Sequence, residues 1–234
     1  VYDVATKTPL DAMPRLSDRL GHNILCKRED LQPVFSFKVR GAYTKMYRLN
    51  EAERARGVIC ASAGNHAQGV ALSANRLGIR AVIVMPVTTP AIKIDAVRRL
   101  GGEQVEIVLH GDYYDAASQH ARALQEAHGY TYIHPFDDPD VIAGQGTLAL
   151  EILSQHPHPI DAIFVPCGGG GLLAGIAVLV KALRPDIRII GVEPEDAASM
   201  TAAVRGGKRQ TLDHVGIFAD GVAVKMPGEL TYDI

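Results

Sequence analysis

A run of four glycines, Gly168–Gly171, is the segment of this sequence best suited to chemistry. It lies between two apolar stretches, Ala162–Val165 and Leu172–Leu183, and this order predicts a strand, a tight turn and a helix. Glycine lets the backbone approach a ligand closely, and a helix N-terminus presents free N–H groups and partial positive charge. The segment therefore predicts a phosphate site formed by Gly168, Gly169, Gly170, Gly171 and Leu172.

The kind of phosphate stays open on these residues alone. The glycines also fit a dinucleotide pattern, Gly169-x-Gly171-x-x-Ala174, and Glu193 ends the next predicted strand, where an acid could bind ribose. A dinucleotide-binding oxidoreductase is therefore one candidate class. A tight strand-to-helix turn without any ligand is the structural alternative.

Lys38, in the segment Ser36–Ala42, is the candidate nucleophile. It falls in the first turn of a predicted helix, where the helix dipole disfavours a positive charge. If the side chain is also desolvated, its pKa is lowered and the amine can form a Schiff base with a carbonyl group. On position alone, an ordinary surface lysine is the alternative.

The segment Ser62–His66 lies between another predicted strand and helix. Its hydroxyl, amide and free backbone N–H groups suit a carboxylate or a phenolic oxygen. A structural role is also open, in which Asn65 caps a helix that starts near Ala67.

The elements that must position these segments alternate along the chain, which is typical of βαβ units around a parallel sheet. The predicted strands are Ile24–Lys27, Val58–Ala61, Ala81–Met85, Val105–Val108, Thr131–Ile133, Ala162–Val165 and Ile187–Val192. The predicted helices are Phe37–Leu49, Ala67–Leu77, Ile92–Leu100, Asp115–Ala127, Ile142–Leu153, Leu172–Leu183 and Ala197–Val204. The fold class is therefore α/β.

The composition favours a small-molecule partner. Of the 234 residues 47% are hydrophobic and 21% charged, which is typical of a globular protein, and the net charge of −2 gives no basic surface for nucleic acid or an anionic membrane. No apolar run is long enough to span a membrane.

The three cysteines have no metal-site spacing and indicate a reducing compartment, the cytoplasm or an organelle interior. No Cys or carboxylate completes a ligand set with His134, His156 and His158, so the interpretation is a solvated loop without a metal.

Together these segments resemble the fold-type II, tryptophan synthase β-like family of pyridoxal-phosphate enzymes. The resemblance is carried by Lys27–Ala42, Ala61–Val70, Pro135–Glu151, Val165–Leu172 and Gly216–Lys225. Within the family the chain is similar to the threonine ammonia-lyases (threonine deaminases) of the biosynthetic type, above all in Gln32–Tyr43 and Phe136–Thr147. The implied fold has two lobes of parallel or mixed sheets with flanking helices. Residues 1–52 and 146–234 are expected to form the larger, cofactor-anchoring lobe, and residues 53–145 the smaller one.

The resemblance also implies roles for individual residues, with pyridoxal 5′-phosphate as cofactor. Lys38 would form the Schiff base beside Phe37, and Asn65 would bind the ring oxygen. Gly168–Gly171 and Leu172 would hold the phosphate, and Gly221 would lie near the ring. The loop for the substrate carboxylate would be Ser62, Ala63, Gly64 and His66.

The implied reaction is the deamination of L-threonine to 2-oxobutanoate and ammonia, the first step of isoleucine biosynthesis, by a homo-oligomer (dimer or tetramer). L-Serine dehydration is the alternative within the family, and a non-catalytic binding protein is an alternative outside it. The related racemases carry a serine where this chain has Ala63, which favours elimination. Ser199 stands where the family's metal-site carboxylate is expected, so no divalent ion is predicted. The family's partner for the ring nitrogen lies beyond Ile234, and we expect the C-terminal part of the catalytic fold to be missing.

Overall fold

The structure, a computed structural model, describes residues 1–234. In chain order, its strands are β1 (Leu10–Ala12), β2 (Leu25–Lys27), β3 (Val58–Ala61), β4 (Ala81–Met85), β5 (Val105–Leu109), β6 (Thr131–Tyr132), β7 (Ala162–Pro166) and β8 (Arg188–Val192). The helices are α1 (Pro14–Leu20), α2 (Lys38–Tyr47), α3 (Glu51–Arg56), α4 (Asn65–Leu77), α5 (Ala91–Gly101), α6 (Tyr114–His128), α7 (Pro139–Gln155), α8 (Gly171–Leu183), α9 (Ser199–Gly206) and α10 (Glu229–Asp233).

The largest sheet has four parallel strands in the order β5-β4-β3-β6. Alternate residues of β3 and β4 face opposite sides of it. Cys60 and Ile83 pack in the core that includes α4 and α5, whereas Ile59 and Val82 pack in the core that includes α6. Because both faces are covered, the two strands are apolar throughout, and the sequence pattern was therefore easy to recognise.

A second parallel pair, β7 and β8, packs against α8, and α8 packs against α7. Leu148, Val165 and Ile176 lie in the core shared by these elements. Helix α2 lies between α4 and α7 and so links the two sheets. This central position places the first residue of α2, Lys38, between α4, which follows β3, and α7, which follows β6.

All the predicted strands and helices are present, with ends that shift by a few residues. Helix α7 begins at Pro139 rather than Ile142, because the Asp138 carboxylate accepts hydrogen bonds from Asp140 N and Val141 N. The short elements β1, α1, α3 and α10 were not predicted. The first predicted strand, now β2, pairs antiparallel with β1.

The expected two-lobe division stays a prediction. The four-stranded sheet lies within residues 53–145 and the β7–β8 pair within residues 146–234. The expected boundary at residue 145 falls inside the continuous helix α7, which packs on α2 and α8. None of the helices combines the length and apolarity that a membrane crossing requires.

Candidate active site

Lys38 is the first residue of α2 and is half-buried. Its Nζ donates a hydrogen bond to the carbonyl oxygen of Pro135 at 2.8 Å and lies 5.4 Å from the centre of the Phe37 ring. Burial lowers the pKa of Lys38 to about 8, because a charged amine is poorly solvated there. The amine therefore has a substantial neutral fraction near neutral pH, as a nucleophile or base requires.

A buried ion network holds α2 in place beneath this lysine. The guanidinium of Arg40, which is fully buried, pairs with both Glu29 oxygens at 2.8 Å and with Glu151 at 2.6 Å. Glu151 also accepts from Lys27 Nζ at 2.6 Å. Since Glu151 belongs to α7, the network ties α2 to α7 and to the strand β2. It holds the backbone that carries Lys38 without placing a carboxylate on the lysine itself.

The glycine segment leaves a row of backbone donors without acceptors. None of the N–H groups of residues 168–173 donates to a protein acceptor, and the first hydrogen bond of α8 runs from Ala174 N to Gly170 O at 2.8 Å. Gly169, Gly170, Gly171 and Leu172 are nevertheless buried. Buried N–H groups are almost always paired. These unpaired donors at a helix N-terminus therefore suit an anion such as a phosphate.

Gly170 is the N-cap of α8 and has a φ of +96°, a backbone conformation that residues with a Cβ rarely adopt. A Cβ at this position would also lie 2.6 Å from Met200 Cε. The turn therefore requires glycine here for its shape as well as for ligand access.

The loop Ser62–His66 provides a second set of donors. Ser62 N donates a hydrogen bond to Val84 O at 3.1 Å, and Gly64 N donates one to the Ser62 hydroxyl oxygen at 3.2 Å. The N–H groups of residues 63, 65, 66 and 67 have no protein acceptor. The loop therefore presents both a compact turn and donors suited to a carboxylate.

Asn65 is not the cap of its helix, contrary to the structural alternative. Gly64 is the N-cap and makes no side-chain cap hydrogen bond, and Asn65 is the first helical residue. The Asn65 side chain is exposed and engages no protein group. It lies one turn before Gly69, and a Cβ on Gly69 would be 3.1 Å from the backbone of Lys38. Residues one turn apart share a helix face, so Asn65 lies on the side of α4 that faces the lysine.

The His66 ring does not point toward a ligand. It is buried, with its Nε2 2.8 Å from the carbonyl oxygen of Ile133. Burial first, and the nearby Lys38 charge second, lower the pKa of His66 to about 3. The ring is therefore neutral and donates from Nε2. Of the polar groups of His66, only the backbone N–H remains available to bind a substrate carboxylate in the predicted loop.

The segment Ile133–Asp138, to which the sequence analysis gave no role in binding cofactor or substrate, joins these parts. Its Ile133 carbonyl binds His66 and its Pro135 carbonyl binds Lys38. The Phe136 side chain fills the space beside the glycine turn, because a Cβ on Gly169 would overlap its ring. The segment follows β6, at the same edge of the sheet as the loop after β3, and that position was the available signal.

His134 belongs to this segment and is separate from the loop of His156 and His158. Its Nδ1 accepts from Asp137 N at 2.7 Å, and burial lowers its pKa to about 4. His156 and His158 pack ring against ring at 5.3 Å. No group of three or more His, Cys, Asp or Glu side chains is arranged to hold a metal ion.

Two further positions bear on the ligand. Val222 lies against the glycine turn, since a Cβ on Gly168 would be 3.0 Å from Val222 Cα, and the adjacent Gly221 faces open space.

The Glu193 carboxylate accepts hydrogen bonds from Met200 N and Thr201 N at 2.8 Å each. It is therefore engaged at the start of α9, and the sequence expectation that it could bind a ribose is not supported.

The groups at this site suit pyridoxal phosphate. The unpaired N–H groups of residues 168–173 match a phosphate, and a buried lysine of lowered pKa matches an aldehyde. The exposed Asn65 amide provides a donor on the side of Lys38. A dinucleotide would use the glycine turn but would leave Lys38 without a role.

Comparison with known proteins agrees with this assignment. Residues 1–234 match the family described as pyridoxal-phosphate dependent enzyme. The chain is 59% identical to the biosynthetic L-threonine dehydratase of Burkholderia multivorans over 99% of its own length and 46% of that relative. It is 59% identical to the chloroplastic biosynthetic threonine dehydratase of Arabidopsis thaliana, over 100% of its length and 39% of the relative. The chain thus spans less than half the length of these two relatives.

Two solved structures show the same fold. The processed threonine deaminase isoform 2 of Solanum lycopersicum is 56% identical, with a TM-score of 0.95, over 99% of this chain and 66% of the other. Maize serine racemase is 35% identical, with a TM-score of 0.93, over 99% of this chain and 69% of the other. The predicted α/β fold-type II architecture is confirmed.

Proposed function

The chain belongs to the pyridoxal-phosphate-dependent enzyme family, and from this we propose that it is the cofactor-binding part of a biosynthetic-type L-threonine ammonia-lyase. The reaction would convert L-threonine to 2-oxobutanoate and ammonia at the entry to isoleucine biosynthesis. The observation that carries the proposal is that one chain combines a lysine amine of lowered pKa, that of Lys38, with the N–H groups of residues 168–173, which have no protein acceptor. The threonine dehydratases that are 59% identical supply the substrate class.

The binding groups divide the work between two helix N-termini. The N–H groups at the start of α8 would hold the cofactor phosphate, and those of the loop Ser62–His66 would hold the substrate carboxylate. The Asn65 amide would donate to the ring oxygen. When bound, pyridoxal phosphate supplies the electron sink that makes the α-proton of an amino acid labile.

Lys38 Nζ would both anchor the cofactor and move the α-proton. With a pKa of about 8, roughly a tenth of the amine is neutral at pH 7, against well under a thousandth for an ordinary lysine. The Pro135 carbonyl orients Nζ through the 2.8 Å hydrogen bond. His66 and His134 stay neutral beside it, and burial alone accounts for the lowered pKa of the amine.

Elimination is favoured over racemisation by the residue after Ser62. A racemase needs an acid on the second face of the α-carbon, and the methyl group of Ala63 cannot supply a proton. L-Serine remains the second candidate substrate, because one methyl group changes binding by only about 1–3 kcal/mol.

Compartment and assembly are proposals of the same kind. Cys26, Cys60 and Cys167 are all free, which supports a reducing compartment, either the cytoplasm or an organelle interior. The dimer or tetramer expected from the sequence stays a prediction.

The test is to incubate the chain with pyridoxal phosphate, reduce it with borohydride, digest it and locate the added mass. We expect the label on the peptide containing Lys38 in wild type and no label there in Lys38→Ala. Lys208, which is exposed, serves as the internal control for random surface labelling. A label scattered over several lysines contradicts the site. Threonine and serine turnover, measured as 2-oxo acid, then identify the substrate, and cofactor binding without any 2-oxo acid points to a binding protein.

A further inference from the structure

The carbonyl group of Gly169 is held on the side of the glycine turn that faces α10. It accepts a hydrogen bond from the Thr231 hydroxyl at 2.6 Å and a longer one from Gly228 N at 3.2 Å. The Thr231 hydroxyl bond is buried and is the shorter of the two, and the hydroxyl makes no other hydrogen bond.

We propose that Thr231 is a positioning residue that aims the N–H of Gly170 into the phosphate site. In a trans peptide the C=O and the following N–H point in opposite directions. Because Thr231 holds Gly169 O on the α10 side, the N–H of Gly170 must point to the other side of the turn. That N–H is among the donors without a protein acceptor. The inference rests on the proposed cofactor site.

Two glycines in succession make such a hold necessary. Gly169 and Gly170 have no Cβ to restrict their backbone, so the peptide between them could rotate at little steric cost. The turn is confined from two sides instead. A Cβ on Gly169 would overlap the Phe136 ring, and a Cβ on Gly170 would lie 2.7 Å from the Thr231 hydroxyl.

The structure also fixes Thr231 itself. Asp137 accepts from Glu229 N at 3.0 Å and from Thr231 N at 3.3 Å, so its carboxylate holds the first turn of α10. Asp137 adjoins Phe136 and lies two residues after Pro135, whose carbonyl binds Lys38. One short segment therefore sets the positions of Lys38, the glycine turn and Thr231 relative to one another.

The experiment compares two ligands on the same chain. Pyridoxal phosphate and pyridoxal share the ring and aldehyde, and only the first carries a phosphate. Their affinities are measured by absorbance titration for wild type, Thr231→Val and Thr231→Ser. We expect Thr231→Val to weaken the binding of pyridoxal phosphate at least about tenfold, the lower end of the value of one hydrogen bond to a charged group, and to leave the binding of pyridoxal unchanged. Thr231→Ser, which keeps the hydroxyl, should restore the wild-type affinity.

Thr88→Val is the matched control. The Thr88 hydroxyl also donates to a backbone carbonyl, that of Asp112 at 2.9 Å, but on an exposed loop after β4. This variant should bind both ligands as wild type does. If Thr231→Val does not fold, Thr231→Ala removes the hydroxyl without placing a methyl group against the carbonyl, and it enters the same comparison.

The outcomes separate the inference from the proposed function. If wild type does not prefer pyridoxal phosphate over pyridoxal, the phosphate site itself is wrong. If wild type shows the preference and the hydroxyl-deleted variant keeps it, Thr231 does not position the donor. An equal loss for both ligands assigns Thr231 a purely structural role and also overturns the inference.

Discussion

Replacing Lys38 by methionine should stabilise the cofactor-free chain at neutral pH while abolishing cofactor attachment. Burial lowers the pKa of Lys38 from 10.5 to about 8, a difference of about 2.5 units. At 1.36 kcal/mol per unit, this corresponds to about 3 kcal/mol of unfavourable charge burial. Losing the hydrogen bond to Pro135 O offsets about 1 kcal/mol of the gain. Methionine has a similar length and no charge, so the net expected stabilisation at pH 7 is about 2 kcal/mol.

The pH dependence identifies the cause. Since the pKa of Lys38 is lower in the folded than in the unfolded chain, the unfolded chain holds more protons between pH 8 and pH 10.5. The contribution of this group to wild-type stability therefore rises with pH across that window. Below pH 8 the full free-energy cost of burying the charged amine is present. The advantage of Lys38→Met should accordingly be largest near pH 7 and shrink as the pH approaches 10.5.

The assay is urea unfolding of wild type and Lys38→Met at pH 7, 8, 9 and 10. Lys45→Met, on the same helix as Lys38, is the control for which the expected change in stability has the opposite sign. The Lys45 ammonium pairs with Asp138 and Asp140, which raise its pKa despite partial burial. Lys45→Met should destabilise the chain. If Lys38→Met destabilises it as well, and by the same amount at every pH, the Lys38 amine is not desolvated and the reasoning on its reactivity fails.

Two further predictions concern other buried charges and rings. Arg40→Met should cost about 3–5 kcal/mol in the free energy of unfolding, because it leaves the carboxylates of Glu29 and Glu151 without their buried partner. Arg28→Met, which removes a partly exposed arginine from its pairs with Asp11 and Asp30, should change urea unfolding little, and similar losses in both variants would refute the assignment. The His66 ring should show no titration by NMR above about pH 4, since its pKa is about 3. Because unfolding raises that pKa, stability should fall as the pH drops from 6.5 toward 3, and less steeply in His66→Gln; an NMR midpoint near 6.5 would contradict the buried, neutral ring.

The sequence by itself determined the parts of the molecule that depend on neighbouring residues. Strands β3 and β4 have the predicted bounds, because strands buried on both faces are continuous apolar runs. The glycine turn was also recognisable, since a strand, a turn and a helix N-terminus lie within a dozen residues. Lys38 was not, because its position alone favours an ordinary surface lysine, and its role came from the family resemblance. Family resemblance then identified the cofactor.

Only the tertiary structure decided which distant groups complete the site. The hydrogen bond of Lys38 to Pro135 spans 97 positions in the sequence, and that of Thr231 to Gly169 spans 62. No local pattern marks a carbonyl as the acceptor for a distant side chain. Likewise the direction of the His66 ring and the lowered pKa of Lys38 follow from burial, which packing of α2, α4 and the segment after β6 creates. Residue type and spacing indicate what a group can do, and desolvation by the folded chain decides its charge state.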